Sequence, residues 1–149
     1  MLWYGADNVS NLAVDFTTRC NLRCEYCYLY SKQEADRREV PLEDLIETTH
    51  RVIDVFPNIR MVELWGGEPT FSPERLYEFA RSIKSRGIDT WMPSTNGTLI
   101  NDQASYEAWR YCNQTYNSQV SFDGNKKFHD QFRCGTYDKV VGNMRKALL

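Results

Sequence analysis

No stretch of the 149-residue chain approaches the ~20 consecutive apolar residues needed to cross a bilayer. The opening residues, MLWYGADNVS, have neither the basic start nor the apolar run of a secretory leader. Low-complexity tracts and long linkers are missing too. Neither sign of charge dominates: 18 Lys and Arg stand against 20 Asp and Glu, a formal charge of −2. That balance excludes the strongly basic footprint of a general nucleic-acid binder. Cysteine is sparse and odd in number, five in all, which argues against a secreted disulfide framework. What remains is one globular domain over residues 1–149, expected in the cytoplasm.

Strand-like and helix-like segments alternate along the chain. Residues 11–16 (NLAVDF) read as a first strand that runs directly into TTRCNLRCEYCYLY. From Pro41 to Phe56, Leu42, Leu45, Ile46, Ile53 and Phe56 fall on one helical stripe, with Pro57 as a stop. Residues 59–65 read as a second strand ending at GGEP. Ser72 and Pro73 open a helix that Gly87 closes in a left-handed conformation. A third strand over 88–92 leads into STNG, and a weakly striped helix follows over 101–112. A fourth strand over 117–122 ends at SFDG, and a final helix over 137–149 carries Val140, Val141, Met144 and Leu148 on one face. Four consecutive strand–helix units imply an α/β fold with a parallel sheet. Every glycine-containing motif lies just past a strand's C-terminal end, the edge where such sheets bind ligands, so the motifs are expected to share one mouth.

Cys20, Cys24 and Cys27 follow C-x3-C-x2-C. Three thiolates cannot close a four-ligand structural zinc site, but they can hold three corners of a [4Fe–4S] cluster and leave the fourth iron open. Arg19 and Arg23 are expected to favour the thiolates, and Tyr26 to offer a flat surface beside a cluster. By spacing alone, zinc completed by Cys112, Cys134, His50 or His129 stays open, as do ordinary buried thiols.

TRCNLRCEYCYL after a first strand, with WGGEPTF, STNGT and SFDGNKKFHDQFR further on, resembles the pattern of radical S-adenosylmethionine (SAM) enzymes. It is most similar to peptide and protein maturases of the anaerobic sulfatase-maturase type. The resemblance implies a partial TIM-type barrel and SAM bound to the open iron of a [4Fe–4S] cluster. One electron then cleaves SAM to a 5′-deoxyadenosyl radical. It further implies that Gly66, Gly67, Glu68 and Pro69 receive the SAM amino group on backbone carbonyls, with Glu68 supporting the loop. Asn96 would line the cofactor pocket, Ser121 and Asp123 would sit at the ribose, and Arg133 of HDxxR would pair with the SAM carboxylate. Trp65 departs from relatives that carry a polar residue before the two glycines. Cys112 and Cys134 are expected to be a packed thiol and a loop cysteine, and no auxiliary cluster is expected.

Such enzymes usually have six strand–helix units, and four can be placed here, which leaves a fragment, a compact form or a subunit as alternatives. An open sheet edge makes self-association through it an expectation. The expected activity is hydrogen abstraction from a peptide or protein side chain, with a flavodoxin- or ferredoxin-like electron donor. The alternatives are action on a nucleotide or small metabolite, a catalytically incomplete SAM- and cluster-binding module, and a zinc-binding structural protein.

Overall fold

Period-two alternation decides how the first strand sits. In β1 (Asn11–Thr17), Val14 and Phe16 are buried while Ala13 and Asp15 are exposed. The computed structural model describes residues 8–29 and 39–147. β1 pairs in parallel with β2 (Met61–Gly66), which pairs in parallel with β3 (Asp89–Trp91), in the order β1-β2-β3. The face bearing Val14, Phe16, Val62 and Leu64 is covered by α1 (Leu42–Val55), α2 (Pro73–Lys84) and α3 (Gln103–Cys112). Their contributions are Ile53 from α1, Leu76, Phe79, Ala80 and Ile83 from α2, and Ala108 and Cys112 from α3. Phe16 and Phe79 meet edge-on at 5.5 Å between ring centres. The expected helical stripes and the parallel pairing are therefore both present.

Two expectations need correction. The third strand does not run on into STNG, because its ladder stops at Trp91. After Pro93 a separate strand, β4 (Ser94–Thr95), pairs in parallel with β5 (Gln119–Val120) to form a second, two-stranded sheet. Proline has no N–H to continue a ladder, yet its carbonyl still accepts from the Gln119 N–H at 2.9 Å. The second correction is an extra helix, α4 (Lys126–Phe132), inside the segment read only as a motif; the Asn125 side chain caps it by accepting from the Phe128 N–H at 3.1 Å.

Gly87 has the expected left-handed conformation, φ +73°, but the Ser72 hydroxyl makes no cap bond at the start of α2. α5 (Tyr137–Ala147) follows α4 with Val140 buried. Leu148 and Leu149 of the expected final helix, and the opening residues 1–7, lie outside the described residues. Among the described residues no helix is long and apolar enough to cross a membrane.

Because the cap is the local signal for α4, Asn125→Ala is expected to lower unfolding stability by about 1 kcal/mol in urea titration.

Candidate functional site

The strand ends create the site by backbone approach. At the end of β1 the pairing register shifts between Asp15 and Thr17, a bulge that turns the chain into the cysteine loop. The Gly67 N–H donates to the Thr17 carbonyl at 2.7 Å, and the Glu68 N–H donates to the Arg19 carbonyl at 2.8 Å. Only glycine permits this. A Cβ at Gly66 would lie 2.0 Å from the Thr17 oxygen, and one at Gly67 would lie 2.3 Å from the Arg19 oxygen. The two amides are thus spent on the cysteine loop, and the Glu68 carbonyl accepts the Phe71 N–H at 2.9 Å.

Glu68 locks the arrangement. Its carboxylate is 1% exposed and accepts from the Thr70 and Thr95 hydroxyls at 2.6 and 2.7 Å, the Asn96 N–H at 2.6 Å and the Thr70 N–H at 3.3 Å. Burial pushes the carboxyl above its usual range, and these donors, each favouring the ionised form, work against that push.

A cavity of about 270 Å³ opens above these strand ends. Of the residues singled out in the sequence, Cys20, Cys24, Cys27, Tyr26, Gly66, Gly67, Glu68, Pro69, Asn96, Ser121 and Arg133 line it. Asp123 does not; its carboxylate takes the Tyr26 hydroxyl and the Arg133 Nε–H, the latter at 2.8 Å. Desolvation opposes ionisation there, but the Arg133 and Tyr26 bonds hold Asp123 below the usual carboxylate range. Desolvation at its hydroxyl end, followed by the bond to Asp123, pushes the Tyr26 phenol up to about 12, although its ring is largely exposed.

Ser94 and the apolar Leu22 and Leu64 also line the cavity, and the Ser94 and Ser121 hydroxyls meet at 3.0 Å. Ser94 was within reach of sequence reasoning, since it opens the STNG motif at a strand end. Trp65 lies on the rim with its indole N–H committed to Glu63 at 3.1 Å.

Arg19 is placed differently from the expectation. Arg19 sits 4.2 Å above the Phe71 ring and 3.7 Å from Glu39, whereas the charge that favours the Cys24 thiolate is Arg133. Burial still raises Cys24, and it pushes Cys20 up to about 11 against the Leu22 N–H. Cys112 is buried in the core as expected, with a thiol pushed up to about 12 by burial. Cys134 is exposed but lies against the cysteine loop, its Sγ accepting from the Arg23 N–H at 3.3 Å.

The donor set fits an iron–sulfur cluster. Three half-buried thiols surround one cavity that Gly66 and Gly67 also line, and the Cys20 Sγ already accepts an N–H from Leu22 at 3.4 Å. Two histidines proposed as zinc partners are engaged elsewhere, His50 with Ser82 and His129 with Asp123 and Thr136. Among the described residues no three His, Cys, Asp or Glu side chains are grouped to hold a single metal ion.

Residues 14–148 match the model of the Radical SAM superfamily. The chain belongs to the radical SAM superfamily. It is 29% identical to a GTP 3′,8-cyclase of Desulforamulus reducens over 95% of this chain and 43% of that protein. It is 28% identical to a cysteine-type anaerobic sulfatase-maturating enzyme of Clostridium novyi over 93% of this chain and 40% of that protein. Among solved structures, native anSMEcpe with bound AdoMet superposes with a TM-score of 0.67 at 26% identity, over 94% of this chain and 41% of that one. The chain thus spans less than half the length of these radical SAM relatives, and its open parallel sheets correspond to part of their fold.

Gly67→Ala is expected to cost about 1–3 kcal/mol through overpacking against the Arg19 carbonyl, and to reduce iron retained per chain after anaerobic reconstitution. Metal uptake requires the Cys20 proton to leave. Its thiolate fraction grows about tenfold per pH unit on the way up to about 11. Initial iron incorporation, followed by visible absorbance, is therefore expected to accelerate as pH rises through and above neutrality.

Proposed function

We propose that the chain is the cluster- and SAM-binding portion of a radical SAM enzyme that acts on a peptide or protein side chain. The observation that carries this reading is the convergence of Cys20, Cys24, Cys27, the Gly66–Gly67 floor and Arg133 on one cavity. When bound, a [4Fe–4S] cluster held by the three thiolates supplies the electron that cleaves SAM to a 5′-deoxyadenosyl radical, the hydrogen-abstracting agent.

The chain's own residues bind, orient and exclude water. The carbonyls of Gly66, Gly67 and Pro69 accept from the SAM amino group, the Glu68 carbonyl being already engaged by the Phe71 N–H. Arg133 keeps its Nε on Asp123 and offers its terminal nitrogens to the SAM carboxylate, a two-point, charge-assisted match. The Ser94–Ser121 hydroxyl pair serves the sugar. Asp123 acts one step back, holding Arg133 and Tyr26 in place rather than touching the ribose. Leu22 and Leu64 form the apolar part of the wall that limits water in the cavity.

The peptide reading is supported by the sulfatase-maturating relative and by the anSMEcpe structure that holds the Cp18Cys peptide, TM-score 0.63 at 26% identity. A nucleotide substrate is the second reading, favoured by the cyclase relative, which matches this chain over a similar span. A flavodoxin- or ferredoxin-like protein is the proposed electron donor, and the reducing cytoplasm the proposed compartment.

The test is anaerobic reconstitution followed by dithionite and SAM, with candidate peptides or GTP added. The expected product is 5′-deoxyadenosine, formed faster with peptide; faster formation with GTP selects the nucleotide reading. A cluster that reduces while SAM stays intact would favour a binding module, and a colourless, zinc-loaded protein would overturn the cluster. Arg133→Lys is expected to weaken SAM binding about tenfold or more by equilibrium dialysis while retaining iron.

A further inference from the structure

Asn96 lines the cavity, yet its amide has nothing left to offer SAM. The Oδ1 accepts from the Thr98 N–H at 2.9 Å and the Thr98 hydroxyl at 2.7 Å, which identifies the other amide atom as nitrogen. That Nδ2 donates to the Asn21 Oδ1 at 3.0 Å, and the Asn21 Nδ2 donates to the Thr98 oxygen at 2.8 Å. The three side chains close a ring in which every bond runs in the same direction: Asn96 to Asn21, Asn21 to Thr98, Thr98 to Asn96. One amide hydrogen of Asn96 is outside the ring, and its acceptor is the Cys20 Sγ, 3.8 Å from Nδ2. All four hydrogen-bonding positions of the amide are then filled. Asn96 is 8% exposed and Thr98 is fully buried, so water competes little for the bonds between these two, while the exposed Asn21 closes the ring from the solvent side.

We propose that Asn96 is a positioning residue that acts through Cys20, its N–H···S bond raising the reduction potential of the cluster, and that it is not a SAM contact. This rests on the cluster reading above. A reduced cluster carries one more negative charge, shared with its thiolate ligands. A donor aimed at a ligating sulfur therefore favours the reduced form. Asn21 and Thr98 fix which way the amide faces, so the donor is oriented before any metal arrives. The reduction itself adds one electron from the titrant and neither makes nor breaks a bond.

The experiment is a dithionite titration of the reconstituted chain without SAM, read by the electron paramagnetic resonance signal of the reduced cluster. Asn96→Ala and the near-isosteric Asn96→Asp are expected to shift the midpoint to more negative potential. Thr98→Val, which keeps the donor but loosens its orientation, is expected to shift it less in the same direction. In parallel, SAM affinity measured by equilibrium dialysis on oxidised clusters is expected to stay near wild type for Thr98→Val. Unchanged midpoints with weakened SAM binding would overturn the proposal and make Asn96 a SAM ligand.

If the Asn96 variants fail to hold metal, the wild-type chain still decides. With asparagine labelled by 15N at the side chain, the reduced cluster is expected to show coupling to that nitrogen. Its absence overturns the inference. A wild-type chain that assembles no cluster at all would instead defeat the reading on which the inference rests.

Discussion

A single buried carboxylate holds the site together. β2 and β4 belong to different sheets, so no ladder joins their ends. Glu68, two residues past the end of β2, accepts from the Thr95 hydroxyl and the Asn96 N–H at the end of β4. In a low-dielectric interior such a group is costly unless its oxygens are satisfied, and four donors supply that satisfaction. The same turn presents the Gly67 and Glu68 amides to the carbonyls that begin the cysteine loop. One residue therefore sets the spacing among the first strand's exit, the second strand's exit and the STNG turn.

The cysteine loop is held separately at its two ends. Near Cys20 the anchors are the glycine segment and the Asn21–Thr98–Asn96 ring. Near Cys24 and Cys27 the anchors come from α4 and the turn after it: the Phe132 carbonyl accepts the Glu25 N–H at 3.1 Å, and the Cys134 Sγ accepts the Arg23 N–H. The Arg133 guanidinium lies 5.4 Å from the Tyr26 ring centre, while Asp123 ties both side chains together. His129 steadies this second anchor. Thr136 donates its hydroxyl hydrogen to the Arg133 carbonyl, so the His129 Nε2 must carry the proton that Thr136 accepts, leaving Nδ1 to receive the Asp123 N–H. All three named residues of HDxxR thereby have assigned work, since Asp130 accepts the Tyr137 N–H at the start of α5.

The parts of the fold that a local pattern encodes were legible. The stripe in α1, the alternation in β1 and the left-handed Gly87 all follow from steric and solvation rules acting over a few residues. The split after Trp91 was not read because a three-residue strand and a two-residue strand separated by Pro93 look like one short strand. α4 was missed because seven residues with both lysines and phenylalanines show no clean stripe, and because its reason for existing is a contact with the distant cysteine loop. Arg19 is close to the thiolates in sequence, but Phe71 and Glu39 draw it aside, and Arg133, far along the chain, supplies the charge that favours the Cys24 thiolate.

The sequence alone determined which chemistry the residues are equipped for. Three thiols at close spacing, glycines at a strand exit and an arginine after the last strand are choices of functional group, and functional groups are written directly in the residue types. Tertiary structure alone decided which partner each group takes. Whether Asp123 meets a sugar or an arginine, and whether Asn96 faces SAM or a thiol, depends on hydrogen bonds between segments remote in the chain. A polar side chain binds whichever complementary group the packed strands bring within about 3 Å, and spacing along the sequence carries no record of that distance.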